Sequence, residues 1–376
     1  MVQRDTFALL VRDLLRHFHS PAHLQVQRLV DIWPWRDQPQ DTRAQALREL
    51  LVDALESLQP DAPVASGRTE SLAYDLLRLR YIECLTPDQV GEALGIDEVA
   101  PGVLVHVGAI AEADGENGGD MANLGVVIGT RSVAVIDTGS TRWMGEAIWR
   151  AVRARTDLPV SHVILTHMHP DHVFGATVLA EAGAEVVGHE GLARALADRQ
   201  ENYLESLAAR IGAGRMIGTA VAPVDVEVAE AVEIDLGGRV LEVRAWPAAH
   251  TGTDLTVLDR DSGVLFAGDL VFDKHLPTLD GSLRGWQVVL AELVTIPASG
   301  VVPGHGGPVL PWPDGAQDTA RYLDVLAQDT HAAIGRGERL SDAGAGIAAE
   351  ERDRWQLFDE HNARNATVAF TELEWE

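Results

Sequence analysis

The spacing of apolar residues changes near residue 97. Before it, "TFALLVRDLLRHF", "TRAQALRELLVDALESL" and "SLAYDLLRLRYIECL" carry apolar residues at three- and four-residue intervals, the period of an amphipathic helix. Breaks rich in Pro, Asp and Gly, "WPWRDQPQD" and "QPDAPVASG", divide these runs. Residues 1–96 are therefore predicted to be an all-helical domain. Beyond it come short β-type runs bounded by Gly and Asp: "GVLVHVG", "LGVVIG", "SVAVIDTG", "VSHVILTH", "AEVVGHE", "RVLEVRAWP", "LTVLDR", "GVLFAGD" and "GVVPGHG". Helical patterns lie between several of them, notably "TRWMGEAIWRAVRAR", "VFGATVLAEAG", "GLARALADRQENYLESLAARIG" and "AQDTARYLDVLAQDTHAAIGRG", and the tail "WQLFDEHNARNATVAFTELEWE" reads as a closing helix. Alternating strands and helices predict an α/β domain over 97–376.

One segment of that domain is chemically unusual. "LTHMHPDHVFG" places His167, His169, Asp171 and His172 directly after the apolar run "VSHVIL", so the four polar residues fall in the loop at the carboxyl end of a predicted central strand. Open sheets place their chemistry at that end. Imidazoles and a carboxylate crowded together are costly to bury unless something neutralises and coordinates them, and a divalent metal does both. A catalytic metal needs three or more protein ligands and a position for water. Further polar residues at strand ends answer that need: His250 in "AAHTGTDL", Asp269 closing "GVLFAGD", and His305 in "PGHGG". Isolated histidines such as His106, His162, His189 and His331 are read as surface or hydrogen-bonded core residues, and Asp254 as either a partner of a ligand or a strand-edge acid.

Composition narrows the chemistry. The 376-residue chain has 46% hydrophobic residues, enough to bury a full core. Its single cysteine, Cys84, excludes an intrachain disulfide and a cysteine-based zinc cluster. Metal chemistry here must use His and carboxylate ligands. The net charge of -27 and the absence of a Lys/Arg cluster make nucleic acid an unexpected partner. No apolar run approaches the roughly 20 residues of a membrane span, and Arg and Asp interrupt the amino terminus where a signal peptide would be apolar. A cytoplasmic protein acting on a small molecule, away from membranes, is expected.

The pattern His-x-His-x-Asp-His at 167–172, followed by His250, Asp269 and His305, resembles the metallo-β-lactamase superfamily over about residues 97–335. The resemblance implies an αββα sandwich with two metal sites at one edge, and two zinc ions as cofactors, with iron or a mixed pair as variants. It assigns His167, His169 and His250 to the first ion, Asp171, His172 and His305 to the second, and Asp269 to a bridge between them. Asp137 in "AVIDTG" would orient a ligand from behind. Two divalent ions about 3.5 to 4 Å apart share a water and lower its pKa to roughly 7, so a bridging hydroxide is the expected nucleophile. Asp171 and Asp269 are the expected catalytic carboxylates, and Lys274, His275 and Trp286 the candidate walls of a substrate pocket.

Within the superfamily, "VAPGVLVHVGAIAEADGENGGDMANLGVVIG", "FDKHLPTLDGSLRGW" and the tail resemble glyoxalase II-like enzymes, similar to the zinc metallohydrolases of sulfur-oxidation and quinoprotein gene clusters. That likeness implies thioester hydrolysis. A β-lactamase or lactonase would share every ligand, and a persulfide dioxygenase would use a single iron. In the N-terminal segment, "LLRLRYIECLTPDQVGEALGI" resembles the first part of a helix-turn-helix, but the chain meets Pro101 where a recognition helix should follow. With ten arginines against fourteen acidic residues over 1–96, DNA binding is disfavoured. Docking or homodimer formation is the expected role.

Overall fold

In the computed structural model of the protein, the structure describes residues 95–344 and 346–375. Residues 1–94 of the helical segment expected before them, with nearly all of its helix-turn-helix-like stretch, lie outside the described residues; Ile96, expected to end that segment, opens a strand instead.

Two sheets pack face to face. The first runs in chain order: β1 (Ile96–Ala100), β2 (Val103–His106), β3 (Leu124–Ile128), β4 (Val133–Ile136), β5 (Val160–Ile164), β6 (Glu185–His189) and β7 (Val226–Val228). Its first four strands are antiparallel. From β4 to β7 they are parallel, because helices now make the crossovers. These helices are α1 (Arg142–Arg155), α2 (Pro170–Val173), α3 (Ala176–Glu181) and α4 (Leu192–Ile211). The second sheet has the order β12-β11-β10-β9-β8, built from β8 (Ala231–Asp235), β9 (Val240–Ala245), β10 (Leu255–Asp259), β11 (Val264–Phe272) and β12 (Gly300–His305). α5 (Leu283–Leu293) links the parallel pair β11 and β12; α6 (Gln317–Gly335), α7 (Leu340–Ala343) and α8 (Phe358–Leu373) follow.

The layers follow from which faces are apolar. Val105, Val127, Ile136, Ile164 and Val187 of the first sheet meet Leu241, Val243, Val257, Phe266 and Val302 of the second. On the outer face of the second sheet, Leu265, Ala267 and Leu270 join Leu283 and Trp286 of α5, Tyr322 and Leu326 of α6 and Phe370 of α8. α3 packs on β5 and β6, and α4 on β6, covering the first sheet. The result is the αββα sandwich. β4 and all nine residues of β11 are buried, which explains their continuous apolar runs: strands covered on both faces do not alternate.

One buried ion pair ties the two sheets together. Arg239, before β9, bonds Asp259 through two nitrogens at 3.0 and 2.6 Å and donates Nη1 to the carbonyls of Pro101 and Ile128. Asp259 is fully buried. Among the described residues, no helix is long and apolar enough to cross a membrane.

Candidate metal centre

Five segments bring chemistry to one edge of the sandwich: the end of β4, the loop and short helix after β5, the turn after β9, the body of β11 and the end of β12. Asp137 directly follows β4 and holds a left-handed backbone (φ 57°), uncommon outside glycine. Its carboxylate accepts the Thr166 backbone N–H (2.8 Å), the Thr166 hydroxyl (2.7 Å) and His172 Nδ1 (2.8 Å). It thereby fastens both ends of the histidine loop. Pro170 opens the single turn of α2, its missing N–H costing nothing there, and that turn presents Asp171 and His172. At the end of β12, Gly304 leaves room for Asp269: a Cβ there would lie 1.8 Å from Asp269 Oδ1.

The hydrogen bonds on the outer side of each ring fix what its inner nitrogen can do. Thr166 Oγ1 gives its proton to Asp137, so it accepts from His167 Nδ1 at 3.0 Å. His250 Nδ1 donates to the Thr278 carbonyl at 2.6 Å, and His305 Nδ1 to the Met121 carbonyl at 3.0 Å. His172 Nδ1 donates to Asp137, and His169 turns the other way, giving Nε2 to Asp280 at 3.3 Å. Every outer nitrogen carries the proton, so in the neutral ring every inner nitrogen is a bare lone pair.

Those lone pairs face one another. His169 Nδ1 lies 3.1 Å from His167 Nε2 and 3.0 Å from His250 Nε2, with no proton left to join them. Asp269 Oδ2 is 3.3 Å from His250 Nε2, 3.4 Å from His305 Nε2 and 3.7 Å from His167 Nε2, while Oδ1 is 3.3 Å from His172 Nε2. Asp171 Oδ2 lies 3.4 Å from His305 Nε2 and 3.7 Å from His172 Nε2. His172 Nε2 and Asp269 Oδ1 are buried without a hydrogen-bond partner, a costly state for polar atoms. The donors form two groups able to hold a cation: His167, His169, His250 and Asp269, and Asp171, His172 and His305. The residues present fit a pair of divalent ions, with Asp269 reaching both groups.

Charge tells the same story. Burial, reinforced by the neighbouring His172, holds His167 well below its ordinary pKa, and burial lowers His250 to about 3. Burial also opposes charge on His172, but Asp269, Asp137 and Asp171 outweigh it and push that imidazole well above its usual range. His305 is raised in the same way against its burial, by Asp269 and Asp171. Burial alone would raise Asp269; His305, His172, His167 and His250 together hold it far below. The carboxylates thus demand positive charge at the inner nitrogens, which a bound cation satisfies without a proton.

All seven residues expected as ligands, and Asp137 behind them, converge. The other expected residues form no open wall at these donors. Trp286 is fully buried behind His250, ring centroids 5.3 Å apart, and its Nε1 donates to the Leu270 carbonyl, so it packs and offers no open wall. His275 is buried beside His305 (4.8 Å) and stacks on His361 (5.3 Å). Lys274, the only lysine of the chain, is largely exposed and lines a separate cavity of about 250 Å³ with Asp273, Asp318, Arg321, Arg354 and Trp355. Asp254 proves to be the knot of the His250 turn: it accepts the Thr251 N–H and hydroxyl, and burial pushes it up to about 6 against those bonds. The sequence does not mark Asp280, because "PTLDG" carries only a turn signal.

A two-sheet α/β domain with a paired His/Asp centre at one edge defines the class of protein. A family model described as the metallo-beta-lactamase superfamily matches residues 117–305, half of the chain, and the chain belongs to that superfamily. Among solved structures, a metallo-beta-lactamase from Pontibacter korlensis is 22% identical with a TM-score of 0.50, over 61% of this chain and 99% of its own. TMB-1 is 20% identical with a TM-score of 0.49, over 61% of this chain and 97% of its own. The search of curated proteins finds no match.

Proposed function

We propose that the protein is a binuclear zinc hydrolase acting on a thioester or a related carbonyl compound. The observation that carries this reading is the set of five imidazoles whose outer nitrogens are all engaged and whose inner lone pairs converge on Asp269 and Asp171. His167, His169 and His250 would hold one ion, Asp171, His172 and His305 the other, with Asp269 between them. Imidazole and carboxylate donors suit zinc, and also iron. Bound there, a pair of divalent ions supplies Lewis acidity and lowers the pKa of a shared water to about 7.

The chain's own residues do the rest. Asp269, buried and held ionised, fixes the spacing of the two groups. Asp171, with its side chain 11% exposed, stands at the lip and can take the proton of the attacking water on its carboxylate. His169 is the most exposed of the five rings at 16%, so the substrate carbonyl enters on the side of His169 and Asp171. No serine or cysteine nucleophile is required. The thioester preference is supported by the likeness of "FDKHLPTLDGSLRGW" and the C-terminal tail to glyoxalase II-like enzymes.

The test is a substrate panel on zinc-loaded and iron-loaded protein. We expect zinc-dependent hydrolysis of S-lactoylglutathione exceeding that of nitrocefin and of a simple lactone. Oxygen consumption with a persulfide on the iron-loaded protein, without thioester hydrolysis, would overturn the reading.

A further inference from the structure

The rim beside His169 has a built character that a metal centre alone does not explain. Asp280, in the loop between β11 and α5, receives His169 Nε2 at 3.3 Å, and its own backbone N–H donates to the His250 carbonyl at 3.0 Å. Two arginines close on the same carboxylate from separate helices: Arg199 of α4 on Oδ2, and Arg364 of α8 on Oδ1 at 2.7 Å. Their side chains are 41% and 60% exposed, whereas Asp280 is 12% exposed. Tyr203, one turn along α4, sets its ring edge-on to His169 at 6.5 Å and its hydroxyl beside Arg199.

Orienting His169 needs one carboxylate. Two guanidiniums on that carboxylate leave an excess positive charge at the mouth of the site, in a chain whose net charge of -27 repels anions at a distance. Only one nitrogen of Arg364 is engaged among the described residues. An arginine fork with free donors is matched to a carboxylate, phosphate or sulfonate. Asp280 and His169 separate these forks from the inner lone pairs, so the anionic group would sit several bonds from the reacting carbonyl.

We propose that Arg199 and Arg364 form an anion subsite at the mouth, which selects acyl substrates carrying a remote anionic group. This inference rests on the hydrolase reading for its placement in the substrate, but its binding chemistry stands apart from turnover. In the hydrolysis, water adds its oxygen to the carbonyl carbon, the C–S bond breaks and the leaving thiolate takes a proton. The subsite takes no part in those bonds and acts on KM.

The test compares 6-(acetylthio)hexanoate with its N-methylamide on the zinc-loaded full chain. The wild type is expected to favour the anion at least tenfold in kcat/KM, carried by KM, with the preference shrinking as salt is raised. Arg364→Ala should lower the ratio of anionic to neutral kcat/KM about tenfold, and Arg364→Lys should restore part of it. A purely structural role through Asp280 and His169 would depress both substrates together and leave the ratio intact, which would overturn the proposal. If neither thioester is hydrolysed, the hydrolase reading fails, and calorimetry with the inert 6-(methylthio)hexanoate and its N-methylamide decides the subsite. Tighter binding of the anion, lost in Arg364→Ala, upholds it; equal binding of the two refutes it.

Discussion

His169 is held from behind by Asp280: its Nε2 meets the carboxylate at 3.3 Å, so it alone of the five histidines turns Nδ1 toward the centre. Asp280→Asn keeps the shape but weakens the bond that fixes the ring. Affinity for the ion at the His167, His169 and His250 group should fall 10- to 100-fold, the usual cost of losing such a partner. Titration against a competing chelator reads this directly, and an unchanged affinity would show that His169 is oriented by packing alone.

Gly304 sits where any side chain would strike Asp269. Gly304→Ala should displace the carboxylate that joins the two groups and reduce the zinc retained per chain. Hydrolysis should drop by orders of magnitude while the far-ultraviolet circular dichroism stays native. Full metal content and activity in this variant would mean that Asp269 does not bridge.

Arg239→Ala leaves Asp259 charged and buried without its guanidinium, with only the Ser262 N–H and hydroxyl still donating to it. Removing one member of such a pair costs about 3–5 kcal/mol. A fall of that size in the unfolding free energy from denaturant titration is expected, with the metal site of the folded fraction intact; a loss under about 1 kcal/mol would show that water reaches Asp259.

Glu112, in the loop between β2 and β3, meets His361 Nε2 of α8 at 3.0 Å and is ion-paired with Arg210 of α4. Its bond to His361, helped by Arg210 and opposed by burial, holds its carboxyl down to about 2 from 4.5. A depressed carboxylate stabilises the fold above its unfolded pKa and loses that contribution as pH falls through the folded value. The fastening of the 108–118 loop should therefore be complete above pH 4.5 and fade toward pH 2. At neutral pH, Glu112→Gln should raise amide hydrogen exchange in that loop; equal exchange in the two proteins would contradict the role of these contacts.

The site was legible because its donors cluster in sequence or close strands. His167 to His172 share one loop, and His250, Asp269 and His305 each mark a strand end or body whose apolar run is plain. Asp280 was not legible: it stands in a turn, and only the folded chain sets it against His169. Trp286, expected at a pocket wall, backs the site instead, because its spacing within α5 turns it inward beside Leu283 and Leu290.

The fold shows the same division. Strands buried on both faces, such as β4 and β11, announce themselves by continuous apolar runs. β1, β7 and β8 do not: "IDEVA", "VEV" and "AVEID" are short, acidic and largely unburied, so their pairing is set by neighbouring strands more than by pattern. Helix α5 was hidden in a glycine- and arginine-bearing stretch, and is capped by Ser282, whose hydroxyl accepts the Gly285 N–H.

The central claim is that the inward lone pairs hold two cations, and metal stoichiometry tests it most directly. After zinc loading and exhaustive dialysis, elemental analysis should find two zinc ions per wild-type chain, close to one in Asp171→Asn, and fewer than one in a His250→Ala, Asp171→Asn double variant. A wild-type protein that keeps no zinc, or variants that keep as much as the wild type, would contradict the account.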